Sequence, residues 1–175
     1  MYQRELKDVF KVQDEISSAI VAALTPELGG GPAPVAQTGT TARSGTNDVQ
    51  AYDLYLRGRF FLQKRGEASL RQALRYYQEA AARDPNFAKA YAGAADVYAL
   101  LPIYTNLKLD SLLPLGLRAI DRATALDSSL AEAYASRGNL LSLAWRWSEA
   151  EREYRHAIAV DPNYAVAHQW FGELL

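Results

Sequence analysis

Apolar residues recur at helical spacing along most of the chain, in two separate blocks. In the first, Val9, Val12, Ile16, Ile20 and Ala23 fall three or four apart. Phe10, Ala19 and Leu24 widen the stripe, while Lys7, Lys11, Asp14 and Glu15 lie mostly on the other side. That spacing puts the apolar positions on one face at 3.6 residues per turn, so it predicts a separate amphipathic helix over residues 1–24. Pro26 and Gly29-Gly30-Gly31 end it. The core of residues 25–46, GGGPAPVAQTGTTARSGT, carries the single charge Arg43 and shows neither the helical nor the strand period. It offers too little apolar surface to offset the entropy of ordering, which predicts a flexible linker. From residue 47 to Leu175 the helical period returns.

This second block repeats. YAGAADVY (91–98), YASRGNLL (134–141) and HQWFGELL (168–175) align, as do ALRYYQEAAARDPN (73–86), GLRAIDRATALDSS (116–129) and AEREYRHAIAVDPN (150–163). Each unit reads as a first helix, then a second helix that ends at a turn. Gly58, Ala95, Gly138 and Gly172 occupy one place in the first helix, 37, 43 and 34 residues apart, and Pro85, Ser128 and Pro162 occupy the closing turn, 43 and 34 apart. Two markers giving the same intervals define units of about 51–87, 88–130 and 131–164, with a half unit at 165–175. The extra length of the second unit falls between Ala95 and Gly116, where an enlarged interhelical turn touches no stacking surface. Ser148 with Glu151 reads as a capping box opening the last second helix.

The block resembles the tetratricopeptide repeat (TPR). The resemblance rests on Gly58, Phe61, Ala73, Tyr77, Ala80 and Pro85; on Tyr91, Ala95, Tyr98, Ile120 and Ala123; and on Tyr134, Gly138, Leu141, Ala150, Tyr154, Ala157 and Pro162. Leu54 and His168 stand where the other units have Tyr91 and Tyr134, and Ser128 replaces a proline. Gly116 replaces a small alanine, which on helix propensity alone loosens its helix by up to ~1 kcal/mol. The resemblance implies an all-α fold, a right-handed α-solenoid of helical hairpins whose first helices line a concave groove. A second resemblance joins YQRELKDVFKVQDEISSAI, near the start, and the phrase Asp53-Leu54-Tyr55-Leu56-Arg57-Gly58 to segments of large bacterial regulatory proteins. Those proteins include class III adenylate cyclases, winged-helix regulators and serine/threonine kinases. It implies a cytoplasmic, regulatory fragment whose effector domain lies elsewhere.

Composition narrows the chemistry. The chain has no cysteine, which removes disulfides and thiolate metal sites. Its net charge of -1 gives no global attraction to nucleic acid or anionic membranes. Arg71, Arg75, Arg83, Arg118 and Arg122 are interleaved with Glu79, Asp84 and Asp121 and read as a solvated face. No run approaches the roughly 18 apolar residues of a membrane span. His156 and His168 fall on different helices without clustered ligands, so no metal is expected, and His168 is expected to be buried like the tyrosines it replaces. Gly29-Gly30-Gly31 lacks the Gly-Lys-Ser/Thr of a phosphate loop, and no Ser–His–acid order appears. Neither a catalytic residue nor a cofactor site is read from the sequence; the expectation is a binding protein and not an enzyme.

The groove positions implied by the resemblance are Tyr52, Tyr55, Arg59, Lys89, Ala92, Asp96, Glu132, Ala135, Asn139, Gln169 and Glu173. Ala92 and Ala135 keep the floor shallow, and Tyr55 is the expected hydrophobic anchor. Some members of the repeat family grip a terminal carboxylate; here Tyr55, Arg59, Gly93, Asn139, Glu132 and Ser136 hold the matching places. Glu132 opposes an acidic tail, so no such clamp is expected. Trp170, Phe171, Leu174 and Leu175 form an apolar end, read as a face that docks on another copy, giving a homodimer, or on the amphipathic first helix. The expected function is a protein interaction scaffold taking a peptide or protein partner. The alternative is an oligomerisation relay that sets the dimer geometry of an effector domain.

Overall fold

The structure is a computed structural model in which residues 45–175 are described. Among them the chain forms seven helices and no strand: α1 Val49–Lys64, α2 Glu67–Arg83, α3 Ala88–Tyr104, α4 Leu109–Leu126, α5 Ala131–Leu143, α6 Trp147–Val160 and α7 Ala165–Leu174. The helix expected at 1–24 and the linker up to residue 44 lie outside the described residues. The chain divides between Val49 and Gln50 into two units, and the helices from Gln50 onward make up the second.

The two kinds of helix differ because their surroundings differ. The second helices bury one stripe each: Leu70, Ala73, Tyr77 and Ala80 in α2; Leu112, Gly116, Ile120 and Ala123 in α4; Ala150, Tyr154 and Ala157 in α6. The remaining faces are polar, as an amphipathic helix on a surface requires. First helix α3 packs against α2, α4 and α5, and α5 against α3, α4, α6 and α7. Covered on several sides, they bury alanines in close succession: Ala88, Ala90, Ala92, Ala94, Ala95 and Ala99 in α3; Ala131, Ala133 and Ala135 in α5.

Small residues sit where the helices cross most closely. A Cβ added at Gly58 would lie 2.6 Å from the Tyr77 ring, and one at Gly138 would lie 2.6 Å from the Tyr154 ring. The third glycine of this series, Gly172, has nothing within 4 Å of such a Cβ. Gly138→Leu therefore drives a side chain into a ring that is only 1% exposed. The expected cost is ~1–3 kcal/mol or more, read as a lowered urea midpoint with retained helical circular dichroism. Gly116 also has a packing reason: a Cβ there would meet Leu140 Cδ1 at 2.6 Å. Alanine at that position gains helix propensity but forces Leu140 to shift, which corrects the expectation that the glycine merely loosens α4.

The closing turns are built alike. The Asp84, Asp127 and Asp161 N–H groups donate to the carbonyls of Ala80, Ala123 and Ala157, each at 2.9 Å. Their carboxylates accept the N–H of Asn86, Ser129 and Asn163, again at 2.9 Å. This Asx turn satisfies the helix end and reverses the chain, so Ser128 replaces proline without changing the turn.

Two expectations are corrected. The extra length of the second unit is mostly helix: α3 has 17 residues against 13 in α5, and α4 has 18 against 14 in α6. Four residues are close to one turn, so both helices lengthen while keeping their buried faces in register. Ser148 is not a cap, since it lies inside α6 and the N-cap position falls on Arg146 without a side-chain cap bond. The preceding turn fixes this. Trp145 N–H donates to the Ser142 carbonyl at 3.0 Å and Arg146 N–H to the Leu141 carbonyl at 2.9 Å. That is a Schellman end to α5, with Trp145 at φ 61 in the place usually held by glycine. Arg146 then pairs with Glu149 at 2.6 Å.

Candidate functional site

All four first helices contribute to one cavity of about 180 Å³, lined by Leu62 of α1 and Arg65 just beyond its end, Asp96, Leu100 and Ile103 of α3, Asn139 and Leu143 of α5, and Trp170 of α7. Leu100 and Ile103 reach it from the last two turns of α3, the part that the longer second unit extends. The walls are apolar, and the polar groups are few.

Asp96 and Glu132 set the electrostatics. Asp96 Oδ1 lies 2.5 Å from Ser136 Oγ, and the same hydroxyl lies 2.8 Å from the Glu132 carbonyl. Burial pushes the Asp96 carboxyl up to about 7, against the opposing pull of the Ser136 hydrogen bond and of Arg65, with the Glu132 charge adding to the rise. Burial also raises Glu132, with Lys89 and Arg59 acting the other way. The Tyr55, Tyr77 and Tyr164 hydroxyls are raised too, first by burial and then by these carboxylates. Asp96 thus shares the cavity lining with the cation Arg65, while Glu132, half-buried and outside the lining, adds negative charge nearby.

The expected groove residues divide into several groups. Asp96 and Asn139 line the cavity. Arg59 is exposed, and Lys89, Glu132 and Tyr52 are half-buried. Gln169 and Glu173 are exposed on α7 and bond to each other at 3.0 Å. Tyr55 departs from expectation. It is 6% exposed, with its ring 5.2 Å from Phe87 and 5.9 Å from Tyr77. It is a core residue rather than a free anchor, because the α2–α3 turn carries Phe87 over it. Ala92 and Ala135 are buried in the floor. Two clamp positions also serve the fold, since a Cβ at Gly93 would meet Tyr77 at 2.5 Å and Ser136 holds Asp96.

The apolar end is mostly turned inward. Trp170, Phe171 and Leu174 are half-buried against the cluster of Leu141, Ala150 and Tyr154, while Leu175 is 87% exposed. Arg155 lies 5.1 Å over the Phe171 ring. The residues that sequence reasoning missed are Leu62, Arg65, Leu100, Ile103 and Leu143, each three or more residues beyond the groove positions it used.

The histidines act locally. His168 is exposed, not buried, yet its Nε2 lies 2.9 Å from the Pro162 carbonyl. Tyr91 and Tyr134 make the same contact with Pro85 and Ser128, at 3.4 and 3.1 Å. The shared requirement is a donor that ties a first helix to the preceding turn. His156 is exposed, its ring 4.1 Å from that of Tyr134. Among the described residues no group of three or more His, Asp or Glu converges on a metal position, and no helix is long and apolar enough to cross a membrane. The arginines read as a solvated face are exposed; Arg71 pairs with Glu67 at 2.9 Å, and Arg122 donates to the Pro85 carbonyl at 3.1 Å.

No protein-family model matches the chain, and no curated protein matches it in sequence. Solved structures do. The first TPR domain of human RPAP3 superposes with a TM-score of 0.59 at 19% identity, covering 71% of this chain and 89% of that one. The Arabidopsis OM64 TPR domain gives 0.57 at 19% identity, covering 71% and 93%. The TPR2B domain of yeast Sti1, solved in complex with an Hsp70 peptide, gives 0.57 at 19% identity, covering 73% and 94%. At this identity the likeness is one of fold: the described helices have the architecture of tetratricopeptide-repeat domains.

Proposed function

We propose that the helical array is a protein interaction module that receives a peptide or protein segment along the face of its first helices. The observation that carries this is a cavity to which α1, α3, α5 and α7 all contribute, with Leu62, Leu100, Ile103, Leu143 and Trp170 as its apolar walls and Arg65, Asp96 and Asn139 as its polar groups. Binding sites of this kind combine apolar area with a few placed polar groups. The solved TPR structures include the Sti1 domain with its Hsp70 peptide, and the first TPR of Spaghetti bound to the HSP90 peptide SRMEEVD, similar at a TM-score of 0.57. On this reading Asn139, Arg59, Lys89, Glu132, Tyr52, Gln169 and Glu173 border the bound segment. The chain is then a non-catalytic regulatory module of a larger bacterial protein acting in the cytoplasm. That parentage is supported by the resemblance of its first 20 residues and of Asp53–Gly58 to such proteins.

A peptide library immobilised on an array tests the reading with the full chain. Asn139→Trp fills the cavity from α5 and is expected to abolish peptide capture while the helical circular dichroism and melting profile are kept. Capture that survives this substitution, or a library that yields no binder, refutes the reading.

A further inference from the structure

The array has a second groove, on the side of its second helices. Gln78 and Ala81 of α2 form one wall, Leu115, Arg118 and Ala119 of α4 the other, and Ala94 of α3 lies in the floor. Its volume of about 410 Å³ falls in the range of ligand sites, and it shares no lining residue with the first-helix cavity. The repeat itself shows what closes such a groove. In the repeat register Gln78, Ala94 and Ala119 correspond to Asp121, Arg137 and Glu153, which lie 43, 43 and 34 residues further on. There the half-buried Arg137 of α5 reaches both walls, Asp121 of α4 at 2.6 Å and Glu153 of α6 at 4.0 Å. At the first junction a glutamine and two alanines replace all three members of this strut. The groove is left open.

The charge of the lining differs as well. Among the described residues it holds no acid and one cation, Arg118, which is exposed and makes no hydrogen bond or ion pair. One turn further along α4, Arg122 lies 5.9 Å over the ring of Tyr91, another lining residue, and donates to the Pro85 carbonyl at 3.1 Å. The acids nearest in sequence, Glu79 and Asp121, stand outside the lining, and Asp121 is held by Arg137. An apolar groove bordered by cations and lacking an anion is complementary to apolar side chains beside a carboxylate. We propose that the α2–α4 groove is a second docking site, for an acidic segment of a protein partner. Its apolar side chains fill the space over Ala94 that the strut fills at the next junction, and its aspartate or glutamate pairs with Arg118. Arginine can meet a carboxylate with two parallel N–H donors, which fixes register as well as charge. Two arginines beside an apolar floor are a poor match for a nucleic-acid backbone, whose binding rests on many phosphate contacts.

The test uses the full chain and a positional-scanning library of nonapeptides, acetylated and amidated so that only side chains carry charge. Gln78→Asp, Ala94→Arg and Ala119→Glu together transplant the strut into the first junction, and this triple variant is expected to keep the helical circular dichroism and melting profile. The library is expected to hold binders that the triple variant loses and Asn139→Trp keeps, sharing one aspartate or glutamate beside apolar residues. Changing that residue to asparagine or glutamine weakens them at least tenfold. Arg118→Glu, which alters an exposed side chain and leaves the groove open, does the same, and it decides alone if the triple variant unfolds. The first-helix reading is then judged on the peptides that the triple variant retains, so the two readings fail separately. Binders of this groove that lack an acidic residue, or acidic binders indifferent to Arg118→Glu, overturn the proposal. So does a library from which the triple variant loses nothing, or a single-stranded oligonucleotide that outcompetes every peptide for the groove.

Discussion

Tyr77→Ala is expected to destabilise the array by about 3–5 kcal/mol, the range for deleting a fully buried aromatic side chain. The Tyr77 ring is 1% exposed and lies between two glycines of different helices. A Cβ at Gly58 of α1 would approach it to 2.6 Å, and one at Gly93 of α3 to 2.5 Å. The ring thus fills the junction of the first two hairpins, and no neighbour can collapse into the hole without moving a helix. The same geometry predicts a reversal of sign. Gly93→Ala in the unaltered chain sets a methyl group against the ring and costs about 1–3 kcal/mol. In the Tyr77→Ala background that clash is gone, and alanine recovers up to ~1 kcal/mol of helix propensity. Urea unfolding of the two single variants and the double variant gives the coupling directly. Additive effects would mean that Gly93 and Tyr77 do not touch.

The close crossing at Gly58 and the ring that fills it were legible because each recurs in the third unit as Gly138 and Tyr154. Gly93 was not, since the space it leaves depends on a ring sixteen residues earlier and has no counterpart in the third unit, where Ser136 stands. Tyr55 misled because the pattern of a groove position and of a core position is the same on a first helix; burial comes from Phe87, contributed by the next turn. The long segment between Ala95 and Gly116 holds Pro102, Thr105, Asn106 and Pro114, and on residue type it reads as loop. Yet Pro102 falls in the last turn of α3 and Pro114 in the second turn of α4, where the loss of one backbone bond is borne by an otherwise well-packed helix. The cavity walls follow from that extension, which is why Leu100 and Ile103 were not foreseen while Asp96 and Asn139 were. The closing aspartates carried a signal that was passed over. Asp84, Asp127 and Asp161 recur with the same intervals as Pro85, Ser128 and Pro162, and it is the carboxylate that makes the turn.

Asp96→Asn is expected to raise stability at pH 8 and to leave it nearly unchanged at pH 4. The charged and titratable groups around Asp96 are Arg65 just after α1, Tyr55 and Tyr77, Glu132 and Ser136 of α5, and Tyr164 before α7. The Ser136 hydroxyl has one proton for two acceptors, Asp96 Oδ1 at 2.5 Å and the Glu132 carbonyl at 2.8 Å. A protonated Asp96 donates to Ser136 Oγ and frees that hydroxyl for the carbonyl, so all three groups are satisfied; an ionised Asp96 forces a choice. Its folded pKa of about 7 stands above the unfolded value of 3.8. The native state therefore holds the proton more tightly, and stability is greatest below about pH 4 and falls as pH rises to about 7. Three units correspond to a ceiling of ~4 kcal/mol above pH 7, and Glu132, also raised, acts in the same direction. Asparagine keeps the shape and removes the charge, so the gap between the two melting temperatures should open between pH 4 and pH 8, by several degrees. A gap that stays constant across that range would mean that Asp96 is ionised without penalty in the folded chain.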